Sequence, residues 1–149
     1  MELASDRRYH VPATPEVVWS RLAATDEYPA WWPWLREFEA TGLEAGAEWR
    51  CRVRPPLPYT VRFTIYLDEV DQPRTVGAHI DGDIVGTARV TLSERDTGCE
   101  IRLTSTLSPR GRAVRIMADL ARPVARRGHD WVLDTGARQF AAAVGQVRQ

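Results

Sequence analysis

Lysine and asparagine are missing from this 149-residue chain, so all twenty of its Lys/Arg positions are arginine. Both absent residues use A/T-rich codons, and a GC-rich bacterial genome accounts for the bias more simply than function does. Net charge is missing too. Twenty acids balance the arginines, which argues against a protein drawn to nucleic acid by electrostatics. Cysteine is scarce: Cys51 and Cys99 form no CxxC pair and join no His/Cys cluster. Neither a disulfide framework nor a structural zinc site is expected. No apolar run reaches the roughly 18–20 residues of a membrane-spanning helix. Met1 to Asp6 lacks the basic and apolar regions of a signal peptide, so the expected location is cytoplasmic.

What is present is ordinary globular composition, 44% hydrophobic and 27% charged. The length suits a single domain over residues 1–149, large enough to bury a core or enclose a cavity. Leu3, Tyr9 and Val11 share one parity, the mark of a first strand over Glu2–Val11. Thr14-Pro15-Glu16 then starts a short helix: a capping hydroxyl, a preset φ and an acid at the positive dipole end. A second short helix is predicted over Glu27–Leu35, interrupted by Pro29 and Pro33. From Arg36 the period is two, with strands predicted at Arg36–Thr41, Glu48–Arg54, Thr60–Val70, Thr75–Asp81, Ile84–Glu94 and Cys99–Leu107. Short turn-rich links between them imply antiparallel neighbours. Residues Arg110 to Gln146 read as a long helix with a kink or break near Arg122, before Pro123. One apolar stripe holds Met117, Leu120 and Val124, and another holds Leu133, Gly136, Phe140 and Val144. The pattern describes an α+β domain in which a curved antiparallel sheet of about seven strands grips one long helix.

That order resembles the START-like helix-grip superfamily, which includes polyketide cyclase/dehydrase-like proteins. The likeness rests on Val11-Pro12-Ala13-Thr14-Pro15-Glu16-Val17-Val18-Trp19, Asp26 to Trp34, Gly82 to Arg89, and His129-Asp130-Trp131-Val132-Leu133 with Gly136. It spans essentially the whole chain, but its motifs specify a fold and not a reaction. The resemblance implies a hydrophobic cavity between the sheet and the long helix. Candidate ligand-binding residues are Trp31, Trp34 and Trp49, with Phe63 from the inner strand parity. Tyr59, Met117, His129 and Leu133 complete the set. Each aromatic residue has a second reading as plain core, Tyr59 as a strand-edge residue, and His129 as a hydrogen-bonded structural histidine. His79 lies on the polar parity with Thr75, Gly77 and Asp81, a solvated strand position.

No Ser-His-Asp, Cys-His or paired-carboxylate arrangement stands out, and no phosphate-cradling glycine loop occurs. No catalytic residue, metal or cofactor is assigned. Arg50, Arg52, Arg54, Arg62, Arg89 and Arg102 fall on the outward parity, facing cross-strand acids such as Glu39, Asp68 and Glu100. Charge is divided along the chain: twelve Arg and seventeen acids before residue 108, then eight Arg and three acids, or −5 and +5. Arg112, Arg115, Arg122 and Arg126 recur at helical spacing around Asp119. Three functions follow as expectations. The first is carriage or sequestration of a hydrophobic small molecule such as a lipid or polyketide. The second is a polyketide cyclase or dehydratase acting in the cavity. The third is a partner-binding protein whose basic helix meets an acidic carrier protein or an anionic membrane surface.

Overall fold

The structure, a computed structural model, describes residues 2–54, 60–111 and 122–147. Its chain order is strand β1 (Leu3–Val11), helix α1 (Pro15–Ala23), a 3-10 turn (Thr25–Glu27) and helix α2 (Tyr28–Trp31). Six strands follow: β2 (Leu35–Ala40), β3 (Glu48–Val53), β4 (Val61–Asp71), β5 (Thr75–Gly82), β6 (Ile84–Arg95) and β7 (Gly98–Pro109). The described helix α3 covers Arg122–Val147. The seven strands form one antiparallel sheet in the order β1-β7-β6-β5-β4-β3-β2, as the short turns imply. Every connection within the run β2 to β7 is a sequential hairpin. The two helices after β1 carry the chain across to the opposite edge, where β2 begins.

Local chemistry explains the element ends. Thr14 caps α1, its hydroxyl accepting from the Val17 amide at 3.3 Å, and Pro15 occupies the first turn, where its missing N–H needs no partner. The predicted helix over Glu27–Leu35 is shorter in the molecule. Pro33 cannot continue the turn, α2 ends at Trp31, and Leu35 already belongs to β2. The long helix is also corrected at its start: Arg110 and Gly111 are not helical, and β7 runs on to Pro109. Pro123 stands in the first turn of described α3.

Alternation along the strands sorts the two sheet faces. In β1, Leu3, Ser5, Arg7, Tyr9 and Val11 are covered while the intervening residues are exposed. Outward arginines pair across strands as the parity predicts: Arg89 with Glu69 at 3.1 Å, Arg52 with Glu37 at 3.4 Å and Arg50 with Glu39 at 3.8 Å. Two predicted partners differ, since Arg102 meets Asp6 at 2.7 Å and Asp68 meets His79 at 2.8 Å. His79 is exposed, as expected, with its ring stacked on Tyr66. Bulges between Leu35 and Glu37 and between Leu67 and Glu69 bend the sheet around α3. Gly86 permits the closest strand approach: its φ is +152°, and a Cβ there would lie 1.9 Å from the Thr106 carbonyl oxygen.

The core divides in two. Val11, Val18, Trp19, Leu67, Val76, Leu92, Cys99, Phe140 and Val144 pack where α1 and the end of α3 meet the sheet. A second cluster joins Tyr28, Leu35, Cys51 and Val53 beside an aromatic group. Cys51 and Cys99 are both free and buried.

Candidate functional site

The packed core stops short of the other half of α3. Between that half and the inner sheet face lies a cavity of about 220 Å³. Phe63, Ile65, Ile80, Ile84 and Leu107 supply its strand wall, and Val132 and Leu133 cover it from the helix. Its side-chain polar groups among the described residues are Ser105, Ser108 and His129. Ala88 keeps room open opposite Ser105 in the ladder. Beyond Leu103, Val132 and Leu133, which border both spaces, a more open groove of about 870 Å³ follows α3 toward Trp34, Trp131 and Arg138.

Helix α3 is fixed to edge strand β1 by polar contacts on alternate strand residues. Ser5 Oγ lies 3.3 Å from His129 Nδ1. Arg7 forms an ion pair with Asp130 at 2.9 Å, and the Tyr9 hydroxyl donates to Asp134 at 3.0 Å. Burial and that carboxylate push the Tyr9 phenol up to about 12. Arg126 completes the seam, 3.9 Å from Asp130 and within 3.5 Å of Ser5 Oγ. Its guanidinium is thus turned toward β1. Of the predicted basic face, Arg122 opens described α3 and Arg126 makes these contacts, while Arg112, Arg115 and Asp119 lie outside the described residues.

His129 is the titratable side chain of the cavity wall. Burial holds its imidazole below the usual pKa, and the Arg126 and Arg7 charges act in the same sense, while Asp130 opposes them. It is therefore a neutral ring at pH 7. Its Nε2 is buried without a hydrogen-bond partner, and so is Ser105 Oγ. Cys51, by contrast, is chemically quiet, its thiol pushed up to about 12 by burial.

Residues 4–145 match the family described as polyketide cyclase / dehydrase and lipid transport. The chain belongs to this family. Solved structures agree on the fold. The Zhui aromatase/cyclase from Streptomyces sp. R1128 superposes with a TM-score of 0.77 at 15% identity, over 100% of this chain and 97% of that one. A START superfamily protein from Mycobacterium smegmatis gives 0.75 at 12% identity, covering 97% and 98%. Truncated norcoclaurine synthase from Thalictrum flavum gives 0.64 at 12%, covering 97% and 94%. No curated protein sequence matches the chain. At such identities the likeness to these three structures is one of fold, and the family supplies the rest: its members are described as cyclases, dehydrases and lipid transporters. No described helix is long and apolar enough to cross a membrane.

The structure places the candidate residues of this family member unevenly. Phe63, His129 and Leu133 line the cavity, and Trp34 lines the outer groove. Trp31 and Trp49 are in neither lining. Trp31 packs on Phe140 at 5.8 Å with Arg21 over its ring. Trp49 packs on Tyr28 and Phe38 and donates to the Gly42 carbonyl at 2.8 Å. Neighbouring aromatic residues and a backbone acceptor satisfy both rings. Tyr59 and Met117 lie outside the described residues. Sequence reasoning missed Ser105, although a signal existed. Cys99, Ile101, Leu103 and Leu107 define the inner parity of β7, and Ser105 is the polar residue among them.

Proposed function

We propose that this protein binds an apolar small molecule in the cavity between the sheet and α3. The observation that carries the reading is the cavity itself, left open along half of α3 while the other half packs tightly. A space of roughly 150 Å³ takes a benzene ring, so about 220 Å³ suits one or two rings or a short chain. A longer lipid or polyketide extends past Leu103 and Leu133 into the groove. Carriage or sequestration is favoured over cyclisation because the ionisable groups nearest the cavity, Arg7, Tyr9 and Arg126, are engaged along the β1–α3 seam. That leaves His129 as the one titratable group in the described lining of the cavity itself, with no second acid or base beside it there. A basic helix acting on a partner is the reading a filled cavity would favour.

Native mass spectrometry of protein purified from its own host tests this. A co-purifying apolar ligand, released on denaturation, is the expected result. Repeated absence of any ligand, together with no binding of added naphthalene-sized compounds, would sink it.

A further inference from the structure

Cavity and groove meet end to end along α3, and the residue order on both walls shows where. On the inner parity of β7, Leu107 lines the cavity, Leu103 borders both spaces, and Ile101 lines the groove. On α3, Gly128 lines the cavity, Val132 and Leu133 border both, and Thr135 lines the groove. Strand and helix therefore change over at the same level. The shared residues Leu103, Val132 and Leu133 form a partition there. Val132 is anchored against the second core cluster. Leu103 and Leu133 are half-buried and, among the described residues, pack against neither cluster. A leucine with open space on two sides has few partner atoms to hold it, so it turns aside at small cost.

We propose that Leu103 and Leu133 are a movable partition that sets ligand length, crossed by a chain with its apolar end in the cavity and a polar end in the groove. The proposal rests on the cavity-binding reading above and deepens it. Orientation follows from the two walls. The cavity wall is almost wholly apolar, and Ser105 Oγ and His129 Nε2 are closed off behind it. A polar end seated there would lose its water and gain no partner. Beyond the partition the groove is more open and is bordered by Asp134, Thr135 and Arg138. Volume sets the cut-off. With roughly 150 Å³ for the six carbons of benzene, about 220 Å³ holds about eight or nine carbons. A longer chain must turn the two leucines aside.

Calorimetric titration of the full chain with straight-chain 1-alkanols, from hexanol to undecanol, tests the partition. Each buried methylene is worth roughly a fourfold gain in affinity. In wild type that gain should hold to about eight or nine carbons and then drop to about twofold or less per methylene. In Leu103→Ala and Leu133→Ala the fourfold gain should run on to undecanol, with hexanol affinity nearly unchanged. Leu133→Phe thickens the partition and should weaken undecanol about tenfold while sparing hexanol. It keeps the test alive should an alanine variant fail to fold. Decane-1,10-diol, polar at both ends, should bind about tenfold or more weakly than 1-decanol. A uniform slope in wild type, an unmoved break in the variants, or equal binding of diol and decanol would overturn the proposal alone. Failure of every alkanol to bind would remove the cavity-binding reading with it.

Discussion

At the scale of single residues, two polar atoms packed behind the cavity wall, Ser105 Oγ and His129 Nε2, stand in an unfavourable state. A buried hydroxyl without a partner costs about 1–3 kcal/mol, and Ser105 Oγ is such a group. Ser105→Ala should therefore stabilise the ligand-free protein by about 1 kcal/mol, read as a rise of about 3 °C in the thermal midpoint. An unchanged or lower midpoint would mean that the hydroxyl is satisfied in solution. His129 gives a pH signature. Its folded pKa is lowered, so the unfolded chain takes up a proton at a pH where the native ring is still neutral. Its effect on stability is flat above the unfolded value of about 6.5 and becomes a loss as pH falls below that value. The groups facing it are Ser5 and Arg7 from β1, with Arg126 and Asp130 from α3. In His129→Gln this loss should be absent, so wild-type and variant stability curves should run parallel above pH about 6.5 and diverge below it by at most about 1.4 kcal/mol per pH unit. Parallel curves throughout would show that the ring is not desolvated.

At the scale of elements, the strand pattern was the most legible part of the chain. Each strand predicted from alternation and turn residues exists, and its ends move by one or two residues. The exposed outer arginines followed from the same parity. Helix ends were harder to read, because two prolines in one segment define a break without saying which side stays helical. Here the chain takes a 3-10 turn and a four-residue helix and then becomes strand. Tight strand contact was also hidden, since a glycine within a strand reads the same whether or not space is short. Gly86 is the case to test. With its φ of +152° and only 1.9 Å to the Thr106 oxygen, Gly86→Ala must push β6 from β7. A loss of about 2 kcal/mol or more is expected in chemical denaturation. A loss below about 0.5 kcal/mol, the range of an ordinary surface change, would show that the strand shifts freely.

At the scale of the whole molecule, function depends on what the core leaves unfilled. α3 is packed by Phe140 and Val144 along one half, and over the other it covers a space. Ala88 lies in the wall of that space opposite Ser105. Ala88→Leu adds volume inside the cavity without touching the packed half. It should weaken 2-methylnaphthalene binding by about tenfold or more while the fold persists, because overpacking there is relieved into empty space. Undiminished binding would place the ligand in the outer groove. The −5 and +5 halves of the neutral chain bear on this scale too. The Arg7–Asp130 ion pair joins a base of the acidic half to an acid of the basic half, so this contact between the first strand and the last helix does not offset the division.

The linear sequence by itself determined the strand count, the antiparallel order, the outward arginines and the long final helix. All of these follow from periodicity and turn chemistry, which act between residues close in the chain. Its Trp-rich segment also announced aromatic packing, but could not say which rings meet a cavity. That was decided by tertiary structure. Trp31 and Trp49 found partners among Tyr28, Phe38 and Phe140. Ser5 and His129, 124 positions apart in sequence, came together only because α3 lies across β1. Whether a polar atom is answered depends on every element that packs against it, and no local pattern records that.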